Sequence, residues 1–322
     1  MSLLQQAVIR AHPNTYCPKL WQEIFIDNKG NVYNCCHSMP RIIGNIHRQD
    51  LRTIYFGSAV QKARSRSLEG RLGCYPKCNL LSKEVLQKES RPSVVNYEDL
   101  RTLRILFGEA CNISCVMCGQ DHRSRAFLDE EALIRNIDLA PFRQIVLQGG
   151  EPFYIKPALK FFDHCASQKK TVNFSTNGLL INDAWAQKIS LHSSMVTVSL
   201  NGATKKVHEI VNRGSSWERV LANIQRLRFF RDKNKTKLCV RGHFTVVTEN
   251  LADIPLFIEN YETLGFDRIE FGYDITVPGF LKNNPELAYD LKCKISQVLR
   301  AVKHEKCVDT HRLKMLALAD GA

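Results

Sequence analysis

Three thiols stand close together in this chain: Cys111, Cys115 and Cys118 form a C-x3-C-x2-C array with polar Asn112 and Ser114 between them. Closed structural zinc takes four ligands, and an ordinary electron-transfer [4Fe-4S] cluster takes four thiolates. A cubane held by three cysteines keeps one iron open to an outside ligand. Three core cysteines, or part of a zinc knuckle, would explain buried thiols but not this tight spacing with polar residues inside it. The array points to an iron-sulfur centre that binds a ligand at its free iron.

A second group of thiols lies upstream at Cys17, Cys35, Cys36, Cys74 and Cys78. They fall at the ends of local elements, where a metal could tie together a segment with little apolar material of its own. Four cysteines so spaced fit zinc as well as [4Fe-4S]. Cys165, Cys293 and Cys307 fall at unrelated positions on predicted helices and read as core residues.

The elements that must position these groups are legible from periodicity. Upstream, Trp21–Ile26 and Asn31–Asn34 flank Asp27-Asn28-Lys29-Gly30 and read as a hairpin, followed by a helix over about 50–66. From Leu100 onward, apolar strands alternate with amphipathic helices, which predicts βα units with a parallel sheet. The predicted strands are 102–107, 143–147, 171–176, 195–200, 238–246 and 267–272, and the triple-cysteine array directly follows the first. The predicted helices fall near 129–138, 157–167, 183–190, 217–231 and 253–263, with a last one over 285–306.

Strand parity predicts what faces inward. Val196, Val198 and Leu200 share one side of their strand, with Thr197, Ser199 and Asn201 on the other. Val240, Phe244 and Val246 likewise oppose Cys239, Arg241, His243 and Thr245, and Ile269 and Phe271 oppose Glu270. Covering helices take the apolar side, so the polar side faces a cavity that would be costly if dry and closed. Arg241, His243, Thr245 and Glu270 are the candidate substrate-binding groups, for a polar and anionic small molecule or an amino-acid-like moiety. Cys239 is a candidate hydrogen-atom donor that would give epimerisation, although buried cysteines are more often small hydrophobes.

The C-x3-C-x2-C array after a first strand resembles the signature of the radical S-adenosylmethionine superfamily, and Gly149-Gly150-Glu151-Pro152 matches its second hallmark. The resemblance implies a partial (β/α)6 TIM-like barrel and a [4Fe-4S] cluster on Cys111, Cys115 and Cys118. It implies that S-adenosylmethionine chelates the open iron and is split by one electron, giving a 5'-deoxyadenosyl radical that abstracts hydrogen from the substrate. An external reductant such as flavodoxin or ferredoxin would supply the electron. Glu151, with the backbone of Gly149 and Gly150, would lie near the methionyl amino group; Ser175, Asn177 and Ser199 would bind ribose or the methionyl part. Arg213 would contact the carboxylate, and the backbone at Val116 and Met117 would lie near adenine. Leu200-Asn201-Gly202-Ala203 departs from the Leu-Asp-Gly form common in peptide-modifying relatives, which leaves the substrate class open.

The upstream thiols resemble the SPASM or twitch type of auxiliary-cluster domain, with Cys17, Cys35, Cys74 and Cys78 as ligands of a second [4Fe-4S] cluster and Cys36 as a substitute for Cys35. In the commonest family arrangement that domain follows the barrel, whereas here it precedes it. The expected division is an auxiliary domain over 1–90, a connector over 91–98 and a barrel with its C-terminal helix over 99–322. Two other functions remain in view: a peptide-modifying enzyme performing oxidation, cross-linking or epimerisation, and a zinc-stabilised nucleic-acid-binding or scaffold protein.

Composition bounds the partners. The chain has 322 residues, enough for a sizeable core, and a formal charge of +13 that favours anionic partners in general. It has no arginine-glycine tract or compact lysine block, so nucleic acid is not singled out. The start MSLLQQAVIRAHP lacks a signal peptide's apolar core, and no run approaches the length of a membrane span. Twelve cysteines are then expected to serve as metal ligands in a reducing cytoplasm rather than as disulfides.

Overall fold

The computed structural model describes residues 9–10, 17–35, 41–69, 71–72, 95–302 and 304–319, so Cys36, Cys74 and Cys78 lie outside the described residues. The chain forms two compact units. One comprises residues 1–108, 125–149 and 156–171; the other comprises 109–124, 150–155 and 172–322.

In the first unit the hairpin forms where its turn residues place it, as β1 (Glu23–Ile26) and β2 (Asn31–Tyr33), with Phe25 opposite Tyr33. Asp27 accepts hydrogen bonds from the N–H groups of Lys29 and Asn31, both at 2.9 Å, and Gly30 takes a φ of +77°. This is a side-chain-closed turn in which glycine supplies the left-handed residue. The unit also holds β3 (Gly44–Asn45), β4 (Thr102–Leu106) and β5 (Gln144–Gln148), in the order β5-β4-β1-β2-β3. The hairpin strand therefore pairs in parallel with β4, Ile24 opposite Leu103 and Ile26 opposite Ile105. All four β1 residues are buried, and the carboxylate of Glu23 is met by Lys19 at 2.6 Å and Arg104 at 3.3 Å.

In the second unit β6 (Val172–Thr176), β7 (Met195–Ser199), β8 (Cys239–Val246), β9 (Arg268–Tyr273) and β10 (Val308–Asp309) run parallel in that order. Across both units, the six strands expected from periodicity are present to within a residue or so. In β8 the alternation is complete: Val240, Phe244 and Val246 have no exposure, while Arg241, His243 and Thr245 are half-buried. The polar side therefore faces accessible space and the apolar side a core.

The helices of this unit depart from the sequence reading at several points. Lys205–Val211 is a helix whose first turn is held by the Thr204 side chain and by Asp253, which accepts from the N–H of Ala203 at 2.7 Å. Its seven residues offer too little apolar periodicity to register. Val277–Asn283 is a further short helix. The last long helix ends at Ala301 rather than continuing to 306, because Val302 is extended and the chain turns to place Val308 beside Ile269. No helix among the described residues is long and apolar enough to cross a membrane.

Candidate functional site

The cysteine loop folds on itself. The Cys111 N–H donates to the carbonyl of His122 at 3.1 Å, the Cys118 N–H to that of Cys115 at 3.1 Å, and the Asp121 N–H to Glu109 Oε2 at 3.0 Å. A short antiparallel pairing then fastens it, with Cys115 opposite Asn212 and Ser114 opposite Arg213. The Arg213 side chain is exposed beside this clamp.

The glycine motif brings backbones together. A Cβ on Gly150 would stand 2.0 Å from the Ala110 carbonyl oxygen, so only glycine permits the approach. One residue on, the Glu151 N–H donates to the same oxygen at 2.9 Å. Gly149 takes a φ of +124°, and a Cβ there would meet Gly108 O at 2.5 Å.

The Glu151 side chain has no exposed surface. Its Oε1 accepts from Phe153 N–H at 3.1 Å and Thr176 Oγ1 at 2.8 Å, and its Oε2 from Asn177 N–H at 2.7 Å. Burial pushes this carboxyl up to about 7, against the pull of those donors. Through these bonds the carboxylate ties the end of β6 to the glycine motif. Asn177 is also engaged within the chain: its Oδ1 accepts from Leu179 N–H at 3.0 Å, and its Nδ2 donates to Asn112 Oδ1 at 2.8 Å. Ser175 and Ser199, at the ends of β6 and β7, are half-buried on the cavity side.

The candidate substrate groups lie in register. Ser199 is opposite His243, which is opposite Glu270, and Thr245 is opposite Gly272. Arg241 Nη1 pairs with Glu270 Oε2 at 2.8 Å and its Nη2 donates to Thr197 Oγ1 at 2.8 Å; His243 Nδ1 lies 3.1 Å from Glu270 Oε1. Burial works to raise the Glu270 carboxyl, but the His243 hydrogen bond and the Arg241 charge outweigh it and hold the group below the usual range. The Arg241 charge is thus met within the chain by Glu270. Cys239 is the first residue of β8, about 20 Å along the strand from Thr245 at 3.3 Å per residue. That is the N-terminal strand end, opposite the end that carries Asn177 and the cysteine loop.

The donor set suits a cluster. Burial raises the Cys115 thiol to about 12, with further contributions from Cys111 and Cys118, so charge on any one of the three is felt by the others. Bound iron would reverse that balance and draw all three into thiolates. Among the described residues, no three His, Cys, Asp or Glu side chains converge tightly enough to share one metal ion. A cubane does not require such convergence, because each cysteine binds its own iron, whereas a closed zinc site with 2.3 Å bonds to sulfur does. Of the upstream set, Cys17 and Cys35 are both buried, and Cys17 N–H donates to Ser67 Oγ at 2.9 Å.

Thr176, Asn112 and Asn212 also take part in the site and were missed. Parity puts Thr176 on the apolar side of β6, and it is indeed buried; only the position of Glu151 makes it polar-bonded. The sequence signal for Asn112 was its place inside the cysteine array.

The profile of the radical SAM superfamily matches residues 105–259, and that of an iron-sulfur cluster-binding domain, SPASM, matches residues 17–79. The chain is 23% identical over 211 residues to the probable GTP 3',8-cyclase of Methanocaldococcus jannaschii, covering 62% of this chain and 69% of that one. It is 35% identical over 140 residues to a serine-type anaerobic sulfatase-maturating enzyme of Klebsiella aerogenes, covering 37% of this chain and 35% of the relative. With the mycofactocin maturase MftC of Mycolicibacterium smegmatis it shares 26% over 124 residues, 37% of this chain and 32% of the relative. The chain thus spans about a third of these two maturating relatives. Among solved structures, Streptococcus suis SuiB bound to its precursor peptide superposes with a TM-score of 0.49 at 14% identity, covering 95% of this chain and 74% of that one. The triple-cysteine loop, the glycine motif that closes on it and the two profile matches agree: this chain carries a radical SAM domain over 105–259, the domain of an α/β enzyme superfamily using [4Fe-4S] clusters and S-adenosylmethionine, with a SPASM domain over 17–79 on its N-terminal side.

Proposed function

We propose that this enzyme modifies a peptide, with Cys111, Cys115 and Cys118 holding the catalytic cluster and Cys17 and Cys35, together with Cys74 and Cys78, holding an auxiliary one. When bound, the cluster and S-adenosylmethionine supply a 5'-deoxyadenosyl radical that abstracts an unactivated hydrogen. The chain's own residues position and shield. Gly149 and Gly150 would let backbone approach the cofactor's methionyl end, Glu151 fixes that loop, and Arg213, exposed beside the cysteine loop, would receive a cofactor carboxylate.

The observation that carries the substrate reading is the ion pair of Arg241 with Glu270 at 2.8 Å. With that charge met inside the chain, the groups left to a guest are His243, Thr245, Ser175 and Ser199, which suit a neutral polar side chain better than an anionic metabolite. The names of the sulfatase-maturating enzyme and the mycofactocin maturase support a polypeptide substrate. A nucleotide-like small molecule is the second reading, favoured by the +13 charge and by the relative named GTP 3',8-cyclase. A flavodoxin or ferredoxin is the proposed electron donor, and the proposed division remains 1–90, 91–98 and 99–322.

The test is anaerobic incubation of reconstituted enzyme with dithionite, S-adenosylmethionine and deuterated cell extract, followed by mass spectrometry. Deuterium in 5'-deoxyadenosine, matched by a mass change in a peptide, is the expected result. Label traced to a nucleotide or another metabolite overturns the peptide reading. Undiminished 5'-deoxyadenosine after replacing all three loop cysteines overturns the assignment of the cluster.

A further inference from the structure

We propose that Asn177 donates a hydrogen bond to the Cys111 sulfur and thereby sets the reduction potential of the catalytic cluster. The inference rests on the reading that Cys111 is a ligand of that cluster. Its basis is a fully determined amide. The Oδ1 of Asn177 accepts from Leu179 N–H at 3.0 Å, which fixes which end of the amide is the donor. Its Nδ2 then faces two acceptors, Asn112 Oδ1 at 2.8 Å and Cys111 Sγ at 3.7 Å, so both protons have a destination. The backbone is held as firmly, by Glu151 Oε2 at 2.7 Å, and the residue is only 7% exposed. Little donor capacity is left for ribose or a methionyl group, the role that resemblance gave this position.

The consequence follows from charge. Reduction adds an electron whose density is shared with the ligating sulfurs, and an N–H aimed at one of them stabilises the reduced state more than the oxidised one. Removing the donor lowers the potential and makes the cluster harder to reduce. Asn112 serves as the anchor: its carbonyl oxygen holds Nδ2 in place beside the sulfur. Loss of the Asn112 side chain should loosen the same bond without deleting the donor.

The experiment is an EPR-monitored redox titration of the anaerobically reconstituted full chain, using the signal that S-adenosylmethionine perturbs, alongside cofactor affinity by equilibrium dialysis. For Asn177→Leu at a fixed potential, the ratio of reduced to oxidised cluster falls roughly tenfold, equivalent to about 59 mV for a one-electron couple. Iron content and cofactor affinity stay near wild type. Asn112→Ala gives a smaller fall in the same direction, about threefold. An unchanged potential in a loaded Asn177→Leu, with cofactor affinity weakened instead, overturns the proposal in favour of a cofactor-binding role. Loss of the cluster from both variants also overturns it, because the asparagines are then structural. A wild-type chain with no such EPR signal defeats the underlying cluster assignment, a result distinct from either.

Discussion

Arg241 and Glu270 hold one another across neighbouring strands, with Nη1 and Oε2 2.8 Å apart and more than a quarter of each side chain still exposed. The pair sets one positive charge against one negative charge on the cavity side. Glu270→Gln leaves a half-buried guanidinium without its countercharge. Because the site is partly wet, the expected cost is about 1–2 kcal/mol, below that of a fully buried pair. Adding Arg241→Met to Glu270→Gln should cost less than the sum of the singles in denaturant unfolding. Additive losses would mean that the contact has no coupling energy.

Gly150→Ala should damage the site far more than its single methyl suggests. The new Cβ would stand 2.0 Å from Ala110 O, a backbone atom that cannot move without displacing Cys111. Binding of S-adenosylmethionine should weaken at least tenfold, about 1.4 kcal/mol, with the far-UV spectrum unchanged. Gly119→Ala is the matched control, since nothing lies within 4 Å of its added methyl. Equal effects of the two substitutions would sink the steric account.

How much of this was legible depended on range. The inward polar set of β8 was read correctly because alternation at period two is a local property, and His243 and Thr245 line the cavity side as expected. The pairing of Arg241 with Glu270 was not legible, because it requires the register of two strands and the diagonal reach of a long side chain. The importance of Glu151 was visible in its motif, yet its partners Thr176 and Asn177 lie some 25 residues away and only the fold unites them. The parallel pairing of Glu23–Ile26 with Thr102–Leu106 was hidden for the same reason: the hairpin's own turn chemistry says nothing about a third strand.

The upstream cysteines carry a separate prediction. A chain with two cubanes should hold roughly eight irons after full reconstitution. Replacing Cys17 and Cys35 together by alanine should reduce this to about four while 5'-deoxyadenosine formation survives. Zinc bound in stoichiometric amount, with iron near four in both forms, would replace the auxiliary cluster by a structural zinc site.

Stability against pH should show two opposed buried groups. Burial raises Glu151 from 4.5 to about 7, so the folded state keeps a proton that the unfolded chain releases, and stability falls as pH rises from 4.5 to 7. His208 has no exposed surface, and burial lowers it from 6.5 to about 4. The unfolded chain then gains the proton first, and stability falls as pH drops from 6.5 to 4. Each shift corresponds to about 3 kcal/mol across its window, and between pH 4.5 and 6.5 the slopes have opposite sign. Glu151→Gln should leave the His208 slope exposed, so that its unfolding free energy rises with pH over this range relative to wild type. His208→Gln should do the reverse and fall with pH. Denaturant titrations at half-unit pH intervals measure both, comparing slopes rather than absolute stability, so that packing losses common to all pH values cancel. Parallel pH profiles for wild type and both variants would show that neither group changes its proton affinity on folding.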